Sequence, residues 1–453
     1  MMGGDMERSS SAIQNAENKE EIIQWAFGDI AFDTCRVQYD KKQELTEGEK
    51  NWGFYSNQVK TMQEIRAVNP GVKFFATLRS DYDGYGNDNN LPDWICDYDT
   101  KTVDADKYGI FLADYVEYME QQGVPISIMS VAKEWAAFVK VEVAEDVILK
   151  LQSELRERGV AIPLICDQGF WSLSAGINYV KDVSNRGSED LFWGFCSHDY
   201  AGQGLSKWIE LEAETSALGK PLYHDETSTG GNSATRGEEL GIQNPVSRFA
   251  GKAEMYSAGV KGEIFFEMWS RGLNNETRAI YFESGGTGRR MRAYYITKLF
   301  ANHVGGSTYI TSPVESMPEV TTMAFRKGDR VALWVMNESE TDYENISISL
   351  NGESLRDYVR ETKWTADSPV EGDTHSYFAQ GDQITTVIPA ESLNCYIFDV
   401  GPGVNALSYA ESFEDGMGAW SQSTEDDYDW MLNQGGTPTE NAGPAQASEG
   451  SGY

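Results

Sequence analysis

Short apolar segments alternate with amphipathic helical segments through the first two thirds of this chain, and this alternation constrains the fold more than any other feature. Strands are predicted at residues 33–39, 72–78, 126–131, 162–166, 191–196, 221–224 and 262–269. The segments between them, such as 108–122 and 145–158, repeat apolar residues at three- and four-residue spacing, as amphipathic helices do. Strands that are apolar throughout and separated by helices indicate a parallel sheet buried on both faces.

The fold class predicted for residues 30–290 is α/β, a (β/α)8 TIM barrel that forms the catalytic domain. No Gly-rich phosphate-binding motif follows an early strand, which counts against a nucleotide-binding sheet. Only seven strands are recognisable, so we expect the N-terminal strand to be missing from this chain. Residues 1–29 are then expected to be a poorly defined remnant.

The pattern changes after about residue 290, where apolar and polar residues begin to alternate. Strands are predicted at 321–326, 331–336, 345–350, 358–363, 385–388 and 394–399, which indicates an antiparallel β-sandwich over residues 291–402. The last segment, 403–453, is rich in Gly, Asp, Glu and Ser. It is too short to bury a proper core alone, so it predicts a partial third β module.

The charge of the chain excludes two classes of partner. With 71 acidic and 37 basic residues among 453, the formal net charge is −34, which disfavours binding to nucleic acid or to anionic membranes. No apolar run approaches the roughly 20 residues that cross a bilayer. The first residues lack the apolar core of a signal peptide. Five widely spaced cysteines form neither a disulfide framework nor a zinc motif.

Candidate functional residues follow from the rule that the reacting groups of a barrel lie at the carboxyl ends of its strands. Glu134 follows the third recognisable strand and Glu226 follows the sixth. Glycosidic cleavage with retention needs two carboxyl groups about 5–5.5 Å apart, and strands on opposite sides of a barrel bring glutamates together in this way. The alternative interpretation is that each acid is a solvated loop residue.

Several motifs give these positions a family resemblance. Four segments resemble parts of the family 30 glycoside hydrolases of clan A. They are residues 91–95 (LPDWI), 108–135, 197–202 (SHDYAG) and 219–228 (GKPLYHDETS). The resemblance implies that Glu134 is the acid/base and Glu226 the nucleophile of a retaining glycosidase. Residues 291–310 and 389–400 resemble the parts of that family that form a side β-sandwich.

The same resemblance implies a set of substrate-binding residues. They are Arg36, Trp94, Lys133, Trp135, His198, Tyr200, His224 and Trp269. The implied substrate is a plant or algal cell-wall polysaccharide. Two residues depart from the family pattern. Lys133 stands where clan A enzymes have an Asn that binds the sugar 2-hydroxyl, and Trp135 replaces a Pro. Two alternatives are open for Lys133: its ammonium binds an anionic or anhydro-sugar substituent, or, beside Glu134, it depresses the pKa of that acid.

Residues 412–453 resemble the opening of a MAM domain, an extracellular adhesion module. The matching motifs are 413–414 (FE), 420–422 (WSQ), 426–430 (DDYDW) and the run from 437 to 444. This resemblance implies a secreted protein whose chain stops inside that module, with a role for the segment in adhesion.

No cofactor is expected. The loop 81–90 (DYDGYGNDNN) is a candidate for Ca²⁺ binding, although its spacing is not that of an EF-hand and such runs are usually turns. Two functional alternatives remain open. One is a non-catalytic carbohydrate-binding or adhesion protein on a hydrolase scaffold. The other is a different clan A activity, such as agarase or xylanase.

Overall fold

A closed parallel barrel forms the N-terminal part of the protein. The computed structural model describes residues 1–6, 9–79, 90–134, 138–227, 241–266, 268–271, 278–283, 286–350, 353–378 and 381–401. Eight strands, numbered β1 to β8, form the barrel wall: Met2–Asp5, Thr34–Tyr39, Lys73–Leu78, Ile126–Ser130, Leu164–Cys166, Phe195–Ser197, Leu222–Thr227 and Glu263–Phe265. They pair in parallel in the order 5-4-3-2-1-8-7-6, and bridges from Cys166 to Gly194 and from Phe170 to Ser197 close the ring. The predicted TIM barrel is confirmed.

The strand expected to be missing is present, because Met2–Asp5 lies between β2 and β8. All four of its residues are buried. A Cβ atom on Gly3 would lie 2.4 Å from the Ile264 side chain and 2.7 Å from the carbonyl oxygen of Thr34, so a residue without a side chain is needed there. Glycine is depleted in strands, and this segment therefore carries no strand signal. The prediction of a strandless remnant at residues 1–29 was wrong for this reason.

Helices surround the barrel, as expected. They are Ser10–Gln14, Lys19–Ile23, Ser56–Val68, Ala105–Gln121, Val141–Arg158, Leu173–Arg186, Leu205–Ala217, Gln243–Ala258 and Arg292–Val304, with single turns at Lys41–Gln43, Trp52–Tyr55 and Glu189–Leu191 and a π-helical turn at Gln24–Asp29. Inward and outward side chains alternate along barrel strands. One buried cluster separate from the main core draws one residue from each of six strands and fills the interior: Phe75, Ile128, Cys166, Cys196, Tyr223 and Ile264.

An antiparallel β-sandwich follows the barrel and confirms the second predicted architecture. Its larger sheet contains Thr308–Ile310, Val320–Lys327, Arg330–Asn337, Ser354–Trp364, Asp373–Phe378 and Ser392–Gly401, and its smaller sheet contains Tyr343–Ser349 and Gln383–Ile388. Trp334 of the sandwich packs against Phe249 and Phe300 of two barrel helices, with ring centroids 5.0 and 5.6 Å apart. The sandwich and the barrel thus share one apolar core.

Smaller features complete the description. Two short sheets pair Cys96–Asp97 with Thr102–Val103, and Ile280–Phe282 with both Trp269–Arg271 and Gly288–Arg290. All five cysteines are buried, and each is a thiol outside any disulfide. Within the described ranges, no helix combines the length and the apolar character that crossing a bilayer requires. The segment that resembles a MAM domain, and residues 81–89 of the candidate calcium loop, lie outside the described residues.

Candidate active site

The carboxyl ends of four strands place charged side chains together at one mouth of the barrel. Arg36 lies in β2, and Lys133 and Glu134 follow β4. His198 and Tyr200 follow β6, while Asp225 and Glu226 lie in β7. The structure therefore brings six of the predicted site residues together, namely Arg36, Lys133, Glu134, His198, Tyr200 and Glu226.

A β-bulge in β7 explains how two consecutive acids reach the same site. Glu263 pairs with His224 and Phe265 pairs with Thr227, so β7 advances three residues while β8 advances two. A bulge of this kind redirects side chains, and bulges are frequent beside active sites. Asp225 and Glu226 consequently both contact Arg36, whereas strict alternation would have turned one of them away.

Glu134 adopts an unusual backbone conformation at the end of its strand. Its φ angle is +62°, in the left-handed region that residues with a side chain seldom occupy. Its backbone N–H donates to the carbonyl oxygen of Gln168 at 3.2 Å, which holds this conformation. The side chain is 23% exposed, and a carboxylate oxygen of Glu134 lies within 4.8 Å of one of Glu226. Strained residues of this kind cluster at functional sites.

Glu226 is buried among hydrogen-bond donors and positive charges. A guanidinium nitrogen of Arg36 lies 2.9 Å from Oε1, and the Lys133 ammonium contacts the same oxygen. The Tyr200 hydroxyl donates to Oε2 at 2.8 Å. Burial opposes the negative charge of Glu226. Lys133, Arg36 and His198 outweigh it and hold the pKa of this carboxyl well below its usual range.

His198 links the two sides of the site. Its Nδ1 lies 3.1 Å from Oδ1 of Asp225, and its Nε2 lies 2.7 Å from Oε1 of Glu134. Burial disfavours a charged imidazole, yet the charges of Asp225 and Glu226 and the two hydrogen bonds raise the pKa of His198 to about 10. The ring is therefore an imidazolium at neutral pH, and both nitrogens donate.

The Lys133 side chain does not pair as the sequence predicted. One of the two alternatives was that its ammonium acts on Glu134, but it bonds to Glu226 and is 3% exposed. Glu134 and Lys133 are consecutive in the chain, and the left-handed turn at Glu134 lets the two side chains diverge. The positive charge consequently stabilises the ionised form of the candidate nucleophile.

Two other predicted binding residues, Trp269 and His224, make backbone and packing contacts. Trp269 is 4% exposed and donates its indole N–H to the carbonyl oxygen of Asp5 at 2.7 Å, since the eighth strand ends earlier than predicted, at Phe265. His224 packs against Trp208, with ring centroids 5.2 Å apart, and its Nδ1 accepts a hydrogen bond from the backbone N–H of Glu226 at 3.3 Å. Burial, reinforced by the positive charge of His198, lowers the pKa of His224 to about 3, so this ring is neutral.

Trp94 is half-buried in the loop region after β3. Its indole N–H donates to the carbonyl oxygen of Glu44 at 2.8 Å, and its ring packs edge-on against Phe111. Trp135, the remaining predicted binding residue, lies outside the described residues.

Two residues important to the site had no assigned role in the sequence analysis. Asp225 precedes Glu226 in the sequence, and no sequence signal reveals the bulge that turns it inward. Gly169 has φ +63°, and a Cβ atom there would lie 2.1 Å from Oδ2 of Asp225. A glycine after a strand end is a signal for close approach, but the partner can be named only from the structure.

Three ligand atoms, one each from Glu134, His198 and Glu226, lie within 4.8 Å of one another and would suit a metal ion by distance alone. The charges do not fit. Arg36 and Lys133 already bring two positive groups to Glu226, and His198 must lose a proton to become a ligand. The donor set suits proton transfer better than metal binding.

The fold of the barrel and its side sandwich is similar to that of solved glycoside hydrolases. The chain is similar to a family 30 subfamily 8 xylanase from Clostridium acetobutylicum, with 12% identity, a TM-score of 0.64, and coverage of 88% of this chain and 95% of that one. The catalytic domain of xylanase C from Talaromyces cellulolyticus matches at 14% identity and TM-score 0.65, over 88% and 96% of the two chains.

A family 51 arabinofuranosidase from Xanthomonas axonopodis pv. citri is also similar, at 12% identity and TM-score 0.57, over 88% of this chain and 96% of that one. No family model matches the sequence. No curated protein matches it either. The fold is thus that of the family 30 hydrolases and their relatives. Identities this low establish the fold alone.

Proposed function

We propose that this protein is a retaining glycoside hydrolase in which Glu134 is the acid/base and Glu226 the nucleophile. The observation that carries the proposal is their spacing, since oxygens of the two carboxyl groups lie within 4.8 Å. Retaining enzymes use a separation of about 5–5.5 Å, whereas inverting enzymes need about 6.5–9.5 Å to admit a water molecule.

The charges around the two acids suit different roles. The nucleophile must be ionised, and Lys133, Arg36 and the Tyr200 hydroxyl all stabilise the charged form of Glu226. Glu134 is the more exposed of the pair, with 23% of its side chain accessible against 3% for Glu226. It can therefore meet the leaving-group oxygen and later a water molecule.

The proposed reaction has two steps. In the first, Glu226 bonds to the anomeric carbon while the bond to the leaving oxygen breaks and Glu134 gives that oxygen its proton. In the second, Glu134 takes a proton from water, the water oxygen bonds to the anomeric carbon, and Glu226 leaves as a carboxylate. His198 hydrogen-bonds Glu134 throughout and orients it.

Hydrolysis of a polysaccharide panel tests the assignment. Glu226→Gln and Glu134→Gln should each lower kcat by about 10²–10⁴-fold or more while thermal unfolding stays close to that of the unchanged protein. Glu145→Gln, in an exposed ion pair with Arg186, is the matched control and should keep full activity. Near-normal turnover by either site variant would contradict the assignment, and proton NMR of the first product should show retained anomeric configuration.

A non-catalytic carbohydrate-binding protein is the second candidate. The observation that favours it is the direct contact of the Lys133 ammonium with Oε1 of Glu226, one of the two oxygens available for attack. Measurable glycan affinity without release of reducing ends from any member of the panel would favour this candidate. We further propose a plant or algal cell-wall polysaccharide as the substrate and secretion as the protein's route. Product analysis would separate xylanase from agarase activity.

A further inference from the structure

Trp171 is a large exposed aromatic residue at the mouth of the barrel. It is 50% accessible to solvent, and it is the one tryptophan among the exposed large apolar residues of the described ranges. Its carbonyl oxygen accepts a hydrogen bond from the backbone N–H of Tyr200 at 3.2 Å, and the preceding residue, Phe170, forms a bridge with Ser197 at the end of β6. Trp171 therefore lies on the rim of the barrel beside Tyr200, whose hydroxyl contacts Glu226.

Packing of the adjacent helix does not account for this side chain. Trp171 directly precedes Ser172, the N-cap of the helix Leu173–Arg186, whose hydroxyl accepts from the N–H of Ala175 at 3.3 Å. An apolar residue in that place commonly packs against the fourth residue of the helix, but here the fourth residue is Gly176, which has no side chain. Among the residues that the structure describes, none makes a hydrogen bond or a ring contact with the indole. An aromatic face is thus left open to a ligand.

The segment that carries Trp171 is tied to the loops on both sides of it. The carbonyl oxygen of Gln168 accepts from the backbone N–H of Glu134 at 3.2 Å, on the side of β4. On the side of β6, the Gln203 amide accepts from the N–H of Ser174 at 2.9 Å and donates to its hydroxyl at 2.7 Å. A tryptophan on a fixed backbone has only two side-chain torsions, so binding on its face loses little conformational entropy.

The strand order places Trp171 on the side of the leaving group, an argument that rests on the proposed function. In the closed ring, β5 lies between β4 and β6. Glu226, in β7, attacks the anomeric carbon, and the leaving oxygen departs on the opposite side of that carbon, where Glu134 gives it a proton. Glu134 follows β4, so the sugar that leaves lies in front of β4 and its neighbour β5, where Trp171 stands on the rim.

We propose that the indole of Trp171 is the platform on which the leaving sugar unit stacks. One face of a pyranose ring presents mainly C–H groups, and packing it on the indole removes apolar surface of both partners from water. The sugar hydroxyls at the edge of the ring stay in contact with solvent. The ligand class is therefore a glycan chain that continues past the cleaved bond.

Binding tests the platform without hydrolysis. Glu226→Gln protein is titrated by calorimetry with xylohexaose, neoagarohexaose, cellohexaose and laminarihexaose. For the hexasaccharide that binds most tightly, adding Trp171→Ala should weaken binding by about tenfold, the effect of losing one central aromatic contact. Tyr358→Ala removes an aromatic residue that is 63% exposed on the sandwich and should leave binding unchanged. A change of less than about twofold with Trp171→Ala would overturn the proposal, as would absence of binding to all four hexasaccharides.

Two further variants separate stacking from apolar bulk. Trp171→Phe keeps a flat aromatic face and should retain most of the affinity, whereas Trp171→Leu keeps an apolar side chain without that face and should bind as weakly as Trp171→Ala. Thermal unfolding should be similar for all of these proteins. Full affinity of Trp171→Leu would show that stacking is not the interaction.

Kinetics test the side on which the ring acts. In protein with Glu226 intact, kcat/KM is compared for the bound hexasaccharide and for the glycosyl fluoride of its disaccharide unit. Fluoride leaves without a sugar, so Trp171→Ala should lower kcat/KM about tenfold or more for the hexasaccharide and less than about twofold for the fluoride. Equal losses for the two substrates would overturn the assignment to the leaving-group side.

The two proposals fail in distinguishable ways. If Glu226→Gln and Glu134→Gln abolish hydrolysis but Trp171→Ala changes neither binding nor kcat/KM, the platform is wrong and the hydrolase assignment stands. If binding depends on Trp171 but no glycan is cleaved, the ring is part of a glycan-binding site and the hydrolase assignment is wrong.

Discussion

His198 Nε2 lies 2.7 Å from Oε1 of Glu134, so the candidate acid/base is hydrogen-bonded to a buried imidazolium. The opposite nitrogen of the ring lies 3.1 Å from Asp225, which keeps the ring charged. Glu134 thus has a fixed donor on one oxygen and partial access to solvent on its carboxyl group. This arrangement orients the group that must exchange protons with substrate and water.

Histidine titration by NMR should separate this ring from the others, because the chain has four histidines. His198 should remain charged through neutral pH and titrate near 10, whereas His224 and His303 should stay neutral down to about 3 and 4, because partial burial disfavours the charged form of both rings. Asp225→Asn should lower the pKa of His198 markedly. A wild-type His198 signal that titrates near its ordinary value of 6.5 would contradict the assigned pairing.

The same pKa predicts how stability depends on pH. The folded-state pKa of His198 is raised above its unfolded value, so its contribution is complete below about 6.5 and is lost as pH rises through about 10. The stability difference between the wild-type protein and Asp225→Asn should therefore be larger at pH 6 than at pH 10. Urea unfolding at the two pH values measures it, and a penalty that grows with pH would contradict the linkage.

Gly169→Ala should lower stability and activity far more than Gly187→Ala, although the two glycines have similar φ angles. Gly187 ends a helix at φ +68°, and a Cβ atom added there would have nothing within 4 Å, so its substitution costs only the conformational strain, about 1–2 kcal/mol. Gly169 has φ +63° but would also drive a methyl group into Asp225. Urea unfolding and activity assays measure both variants. Gly187→Ala reports the effect of backbone strain alone, and Gly169→Ala reports strain together with displacement of Asp225. Equal effects would show that the contact with Asp225 is unimportant.

Tyr200→Phe removes one hydrogen-bond donor from Glu226, the proposed nucleophile, and otherwise keeps the shape of the Tyr200 side chain. A hydrogen bond to a charged group contributes about 1.5–3 kcal/mol, so we expect kcat/KM to fall by roughly 10- to 150-fold if that bond is kept in the transition state. Tyr343→Phe removes a hydroxyl that donates to Pro318 in the sandwich and serves as the control. Unchanged kinetics for Tyr200→Phe would mean that Arg36 and Lys133 suffice to hold Glu226.

A buried ion pair between a barrel helix and β8 should govern stability rather than activity. Lys252 Nζ lies 2.7 and 2.6 Å from the two carboxylate oxygens of Glu263, and both residues are buried. Lys252→Met should cost about 3–5 kcal/mol because it leaves Glu263 charged and unpaired. Lys107→Met, in the exposed pair with Glu47, should cost less than about 1 kcal/mol. Thermal unfolding measures both, and equal small losses would contradict the argument.

Sequence patterns predicted the parts of the fold that depend on apolar burial. The segments 72–78 (VKFFATL) and 126–131 (ISIMSV) are largely apolar, and the structure places these strands at Lys73–Leu78 and Ile126–Ser130. The first strand was not predicted because Gly3 and Gly4 have low strand propensity. They are needed there because neighbouring atoms leave no room for a side chain. Backbone contacts of this kind leave no trace in hydrophobic periodicity.

The pairings within the site depended on backbone detail that the sequence does not carry. Position in the barrel made Glu134 and Glu226 candidates, and the structure brings their carboxyl groups together. An action of Lys133 on Glu134 was one of two alternatives, and its contact with Glu226 follows from the left-handed turn at Glu134. The inward orientation of Asp225 follows from a bulge of one residue. Side-chain direction at a strand end is therefore the quantity that sequence reasoning could not supply.

The position of Met2–Asp5 between β2 and β8 also has a consequence for synthesis on the ribosome. One neighbour of this strand is made soon after it, but the other is Glu263–Phe265, which emerges more than 250 residues later. At translation rates of about 5–20 residues per second, one edge of Met2–Asp5 stays without its partner strand for on the order of ten seconds or more. Nascent chains should therefore resist protease at this segment only once residue 265 has left the exit tunnel.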